Sequence, residues 1–180
     1  MELKYFATTN QNKLREASEI LGVALEQITL DLLEPQAVKV EGVVEVKAKD
    51  AYVRRGEPVL VEDTSLEFEA WKGLPGALIK WFLDTVGLAG ILKMLNGEIN
   101  RAATAKAAVG FFNGKEARIF VGEVKGKISN EMRGSTGFGW DPLFIPDGFE
   151  KSFGEMTAEE KNAISHRRIA MDKLRDFLKQ

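Results

Sequence analysis

Apolar and polar positions along the chain switch repeatedly between the period of a strand and that of a helix. Leu3 to Thr8 is a short apolar run closed by polar residues and predicts a buried strand. From Lys13 to Leu21, the residues Leu14, Ala17, Ile20 and Leu21 recur at helical spacing, so the first unit is strand, polar loop, helix. Leu25 to Asp31 reads as a second strand and Val43 to Arg55 as a second helix. Pro58 to Glu62 is an apolar run halted by two acids, the pattern of a central strand ending there. The turn signals Gly73, Pro75 and Gly76 precede helices over Leu78 to Thr85 and Leu88 to Leu95, the latter stopped by Asn96-Gly97. Ala102 to Phe112 and Ala117 to Val121 form strands joined at Asn113-Gly114, a hairpin signal, and Val124 to Ile128 continues the sheet. A glycine-rich aromatic loop spans Gly134 to Phe144. A last helix covers Ser165 to Leu178, with Ala170, Leu174, Phe177 and Leu178 on one face. Without repeat, linker or low-complexity tract, the pattern describes one mixed α/β domain over residues 1–180.

Composition narrows this picture. A chain of 180 residues suits one domain, folded as two lobes around a cleft, and can bury its own core. The absence of cysteine removes disulfides, thiolate metal sites and thiol catalysis, and fits a cytoplasmic protein. With 25 Lys plus Arg against 27 Asp plus Glu, the formal net charge of -2 does not supply the basic surface that duplex binding demands. A small anionic ligand in a local basic cleft stays compatible. The N-terminus enters a strand-like run directly, so no signal peptide is expected, and no apolar run reaches membrane-spanning length.

Four segments can carry chemistry. In Thr8-Thr9-Asn10-Gln11-Asn12-Lys13, backbone N–H groups at a helix start and the Lys13 charge favour an anion such as phosphate. The segment lacks the glycines of a Walker loop; taken alone it reads better as an ordinary helix start capped by Asn10 or Asn12. Glu62-Asp63-Thr64-Ser65 places two acids at the carboxyl end of the best central strand, where open α/β sheets hold ligands. Such hard oxygen donors suit Mg²⁺ with substrate phosphates, and a carboxylate there can orient or deprotonate water. The plainer alternative is a solvated turn. Glu34, on the Glu34-Pro35-Gln36 turn, is a further candidate ligand that alone is a surface acid.

The third segment runs from Gly134 to Pro142. Its glycines let backbone approach a ligand, Phe138 and Trp140 offer faces for stacking a base, and Asp141 accepts hydrogen bonds. Core packing of the aromatics is an equal alternative. The fourth, Lys161 to Arg168, starts a helix at Ser165 with His166 and Arg167 in its first turn. Cations there oppose the helix dipole, a cost that an anionic or carbonyl-rich ligand would relieve. His166 is the only histidine, so multi-histidine metal sites are excluded. Phosphate, divalent metal and aromatic base together describe a nucleotide.

These segments closely resemble the inosine triphosphate pyrophosphatase family. The resemblance runs from Phe6 to about Leu174 and rests on five motifs in order. They are Thr8-x-Asn10-x-x-Lys13, Val61 to Leu66, Gly73 to Gly76 with Lys80-Trp81-Phe82, Phe138 to Pro142, and Glu155-Met156 through Asn162 to Ser165-His166-Arg167. It implies an elongated mixed sheet with helices on both sides, two lobes, a cleft between them and a homodimer. It also implies that deaminated purine triphosphates are cleaved to monophosphate and pyrophosphate with Mg²⁺, Mn²⁺ being an alternative. Residues Thr8 to Lys13 would cradle the triphosphate, and Glu34 and Asp63 would hold the metal. Asp63 would also be the general base with Glu62 beside it in a supporting role, and Thr64 would contact substrate. Lys47 and Lys80 would contact substrate, Phe138, Gly139, Trp140 and Asp141 would hold the base, Lys161 would reach phosphate, and His166 with Arg167 would read the purine edge. Thr9 departs from the small residue common in relatives, and the match is loosest from Glu34 to Lys47. Three rival readings are a pyrophosphatase for modified pyrimidine nucleotides, a nucleotide sensor without hydrolysis and a single-strand RNA binder. The Phe138 to Asp141 and Ser165 to Arg167 segments, the Glu62-Asp63 pair and the net charge, respectively, argue against them.

Overall fold

The first strand, β1 (Tyr5–Ala7), passes through a tight polar loop into α1 (Gln11–Leu21). This computed structural model describes residues 3–179; Met1, Glu2 and Gln180, which the single-domain expectation takes in, lie outside them. Asn10 caps α1, its side chain accepting from the backbone N–H groups of Asn12 and Lys13, and Gly22 ends the helix with a left-handed φ of 69°. β2 (Glu26–Ile28) pairs in parallel with β1. An irregular segment, 29–39, leads to α2 (Val40–Arg55), which begins one turn earlier than the periodicity indicated.

β3 (Val61–Phe68) corrects the sequence reading most directly. The two acids do not end the strand: they lie inside it, because every residue from Val61 to Phe68 pairs with β5 (Ala102–Phe112). A continuous antiparallel partner supplies the backbone hydrogen bonds that hydropathy alone did not promise. β4 (Pro75–Gly76), α3 (Ile79–Thr85) and α4 (Gly87–Met94) follow, and β5 returns through the Asn113-Gly114 turn into β6 (Ala117–Ile128). β6 is one strand, so the expected extension over Val124 to Ile128 is present without a break. After β7 (Phe144–Pro146) comes α5 (Ala158–Ile164), a helix the apolar pattern missed. A capping box between Thr157 and Glu160 starts it, a signal readable as Thr-x-x-Glu. The chain closes with α6 (His166–Leu178), capped by Ser165.

The antiparallel sheet runs β4-β3-β5-β6-β7, and Phe6 bridges in parallel to Leu60, joining the β1-β2 pair to it. The sheet is therefore mixed, with helices on both faces. Ala170, Met171 and Leu174 of α6 pack with Ala17 and Ile20 of α1 against Leu60, Val109 and Phe111. On the opposite face Val44, Ala48 and Ala51 of α2 pack on Val61 and Ala108. A third cluster, with Phe68, Ile91, Leu95, Phe144 and Phe153, forms the second lobe. Between Leu60, bridged to β1, and Leu66, paired with β4, residues 62–65 have β5 alone as strand neighbour among the described residues. The sheet parts there, and the cleft opens at the parting.

Candidate active site

Adjacent strand residues point to opposite faces, and the site is built on that alternation. Glu62 faces α1 and α6, whereas Asp63 faces α2. Glu62 is buried and receives Nε of Arg167 at 3.1 and 2.9 Å on its two oxygens, with a further guanidinium nitrogen at 2.7 Å. Lys13, three residues into α1, approaches it to 3.6 Å. Burial raises the Glu62 pKa, but the charges and hydrogen bonds of Arg167 and Lys13 outweigh this and leave it below the ordinary value. Asp63 is half-buried; its Oδ1 accepts from the Thr64 N–H at 2.8 Å and its Oδ2 lies 3.9 Å from Lys47 Nζ. Lys47 also reaches Glu34 at 2.6 Å, so one ammonium stands between two carboxylates. Burial pushes Glu34 up, and the hydrogen bond and charge of Lys47, with the charges of Lys13 and Lys80, bring it below its usual range.

The other end of the cleft is a closed ion network. Glu16, on the apolar stripe of α1 beside Ala17 and Ile20, is buried and bonds both Arg167 and Lys161, the latter at 3.2 Å. Lys161 bonds Asp141 at 2.7 Å, and the same Asp141 oxygen accepts from the Phe138 N–H at 2.7 Å. Burial raises the Asp141 pKa against the pull of Lys161. The cost expected of cations at the start of α6 is met by these carboxylates: for Arg167, burial opposes the charge, and Glu62 and Glu16 raise its pKa despite it. Over this network Phe138 is half-buried, its ring 4.7 Å from Lys161 Nζ and 5.4 Å from the Arg167 guanidinium carbon. Trp140 is buried, packed at 5.2 Å against His166, which stacks at 6.0 Å on Phe153. Burial, then the charges of Arg167, Lys161 and Lys13, hold His166 well below its usual pKa, and its Nδ1 is buried with no hydrogen-bond partner among the described residues.

The cleft has a volume of about 510 Å³ and brings together Thr8, Thr9, Asn10, Lys13, Glu34, Lys47, Asp63, Thr64, Lys80, Phe138 to Asp141, Lys161, His166 and Arg167. Gln11 and Asn12 are not on its wall. The Gln11 side chain is exposed and bonds Gln27, while Asn12 gives its backbone N–H to the Asn10 cap. Lys161 sits at the aromatic end, with its ammonium engaged by Asp141 and Glu16, apart from the Lys47 group. Glu16 escaped the sequence reading, although an acid on the buried stripe of a helix is a legible signal. Leu30, Asp31, Ala77 and Leu83 also line the cleft and carried no sequence signal.

For a divalent ion, the donor set fits: Glu34 and Asp63 both offer oxygens where Lys47 now supplies the positive charge. No group of three or more His, Asp or Glu side chains arranged to hold a metal occurs among the described residues. That is no objection for Mg²⁺, which is held by one or two carboxylates with substrate phosphates and waters. Among the described residues no helix is long and apolar enough to cross a membrane.

A cleft with lysines and carboxylates at one end and a cation-backed ring at the other defines an α/β protein of the nucleotide-handling class. The chain belongs to the Ham1 family, whose family model matches residues 4–177. It is 45% identical to a dITP/XTP pyrophosphatase of Thermococcus kodakarensis, over 97% of this chain and 96% of that one. It is also 45% identical to an inosine triphosphate pyrophosphatase of Scheffersomyces stipitis, over 96% of each chain. The HAM1 protein of Coxiella burnetii has a similar solved structure, with TM-score 0.88, 27% identity and 99% coverage of both chains. That of Staphylococcus aureus has TM-score 0.86 and 26% identity, covering 99% of this chain and 98% of that one.

Proposed function

We propose that the chain hydrolyses deaminated purine nucleoside triphosphates, ITP, dITP and XTP, to the monophosphate and pyrophosphate, and so cleanses the nucleotide pool. The observation that carries this is the polarity of the cleft, whose carboxylate–lysine end and aromatic end lie as far apart in chemistry as phosphate and base. The names of the relatives in two groups of organisms support the same substrates.

Water attacks the α-phosphorus, the bond from that phosphorus to the oxygen bridging to the β-phosphate breaks, and pyrophosphate leaves with that oxygen. Asp63 orients the water and takes its proton; its Oδ1 is fixed by the Thr64 N–H while Oδ2 faces Lys47. Thr8 to Asn10, Lys13, Lys47 and Lys80 surround the triphosphate, with Gln11 and Asn12 serving the loop through the helix start. Glu34 and Asp63 would hold Mg²⁺ or, in its place, Mn²⁺, which would neutralise charge on the phosphate oxygens. Phe138 stacks the base, with Gly139 and Trp140 beside it. Asp141 and Lys161 hold that loop in place, a role for Lys161 that its two carboxylate partners favour over direct phosphate contact.

Hypoxanthine and xanthine offer a 6-oxygen and an N1–H, whereas adenine offers an amino group and a bare N1. Three of the Arg167 donors hold carboxylates, and the remaining two, with His166, suit a carbonyl oxygen. An adenine facing unpaired donors is rejected, by up to ~10⁴–10⁵ in favourable sites. We take the functional unit to be one domain acting as a homodimer in the cytoplasm; sedimentation at micromolar concentration tests the dimer. The deciding experiment is a nucleotide panel assayed for both pyrophosphate and orthophosphate. Pyrophosphate from ITP and XTP, with little from ATP, is the expected result; inosine diphosphate and orthophosphate as main products would refute it.

A further inference from the structure

Glu34 stands on segment 29–39, which belongs to no helix or strand, and something must hold it in register with the rest of the cleft. Two anchors hold its backbone groups. The Leu33 N–H donates to Asp50 Oδ2 of α2 at 2.8 Å, and the Ala77 N–H donates to the Val38 carbonyl at 2.9 Å. The second anchor needs Gly76, where φ is +62° and a Cβ would lie 2.4 Å from the Val38 oxygen.

A side-chain link stands between these anchors. The Gln36 amide nitrogen donates to the Glu34 carbonyl at 3.3 Å, and its amide oxygen accepts from the Trp81 indole N–H. An indole nitrogen only donates, so Trp81 fixes which way the amide turns and thereby aims its nitrogen at Glu34. Trp81 is 58% exposed, so its position does not come from core packing, and it directly follows Lys80 on α3. Glu34 and Lys80 both line the cleft.

We infer that Trp81 and Gln36 are positioning residues, a clasp beside the cleft that steadies the Glu34 backbone, so that its carboxylate keeps its place beside Lys47 on the wall it shares with Lys80. The role of the clasp in binding rests on the reading of Glu34 and Lys80 as metal and phosphate groups. Its mechanical part does not: the indole hydrogen bond adds to the Asp50, Val38 and Lys47 contacts of a loop that has no strand or helix of its own.

Trp81→Phe, Gln36→Leu and the double variant test this in the full chain, both changes being at exposed positions. Amide hydrogen exchange over residues 29–39, without nucleotide, should quicken by about two- to tenfold in each, the factor corresponding to one hydrogen bond of ordinary net strength. Mn²⁺ affinity, read by electron paramagnetic resonance with a non-hydrolysable inosine triphosphate analogue, should weaken by a similar factor, while kcat at saturating metal stays near that of the parent. The double variant should be no worse than either single one, because both remove the same link. Exchange unchanged in both single variants, or additive losses in the double one, would overturn the clasp. A parent that releases no pyrophosphate from ITP, with variants that still loosen the loop, would instead sink the proposed reaction and leave the clasp standing.

Discussion

The two ends of the cleft use the same residue types in opposite ways. At the aromatic end Glu16, Glu62, Asp141, Lys161 and Arg167 are all buried, each at no more than 4% exposure. At the other end the side chains of Glu34 and Lys80 are 49% and 77% exposed. Taking a charge out of water costs several kcal/mol, and only partners already in place offset that, so the buried end must be complete before any ligand arrives. In the proposed reaction, the exposed end would let a hydrated triphosphate exchange solvent for lysine and, through a divalent ion, for carboxylate. On that reading, recognition of a ring is preformed and capture of phosphate is adaptable. The lesson is that charge alone does not mark a binding group: its burial decides whether it meets the ligand or shapes the wall behind it.

The sharpest break between the ends should come from their acids, one residue apart. Asp63→Asn should lower kcat by about 10²–10⁴-fold, the range for loss of a general base, with an unchanged denaturation midpoint. Single-turnover kinetics beside a urea titration would show both; near-parental turnover would place the base elsewhere. Glu62→Gln should do the reverse. It leaves Arg167 and Lys13 short of their counter-charge in a buried site, a defect of about 3–5 kcal/mol in urea unfolding. If Glu62→Gln is as stable as the parent, the network is not preformed.

Acid should attack the buried end first. The folded pKa of His166 lies well below the ordinary 6.5, so between these two values the unfolded chain binds the extra proton. Stability is therefore fully present above about pH 6.5 and falls as pH drops below it, by ~1.4 kcal/mol per pH unit for one such proton. Glu34 and Glu62, also lowered, add their loss only below about 4.5. Urea midpoints measured from pH 7 to 5 should fall less in His166→Gln than in the parent, the raised Asp141 carboxyl working in the opposite direction in both; an equal fall in both would remove His166 from the account. The smallest effect on stability belongs to the open end. Lys80→Ala should change unfolding free energy by no more than about 0.5 kcal/mol, its partner Asp84 being an exposed i,i+4 neighbour, while raising KM for the triphosphate. A stability loss like that of Glu62→Gln would erase the distinction between the ends.

Much of this was legible beforehand, and the limits follow a physical line. The β5–β6 hairpin could be read because Asn113-Gly114 is a local turn signal flanked by apolar strands, and α6 because Ser165 and its apolar stripe are local too. The course of β3 through its acids was not, since pairing with β5 depends on residues some forty positions away. Candidate residues could be gathered by type and order, but their division of labour could not. Glu62 and Asp63 are neighbours in the chain and face different helices in the fold.

By itself, the sequence determined the helices and strands whose signals are local, such as α1, α6 and the β5–β6 hairpin, and the near balance of its charges. These follow from local periodicity, capping and composition, which need no partner to be read. Only the tertiary structure decided that Glu16 anchors Arg167 and Lys161, that Lys161 stands behind Phe138, and that Gln36 meets Trp81 across 45 residues. Burial and ion pairing arise from which elements come together, and a side chain's charge takes its meaning from the water that packing leaves around it.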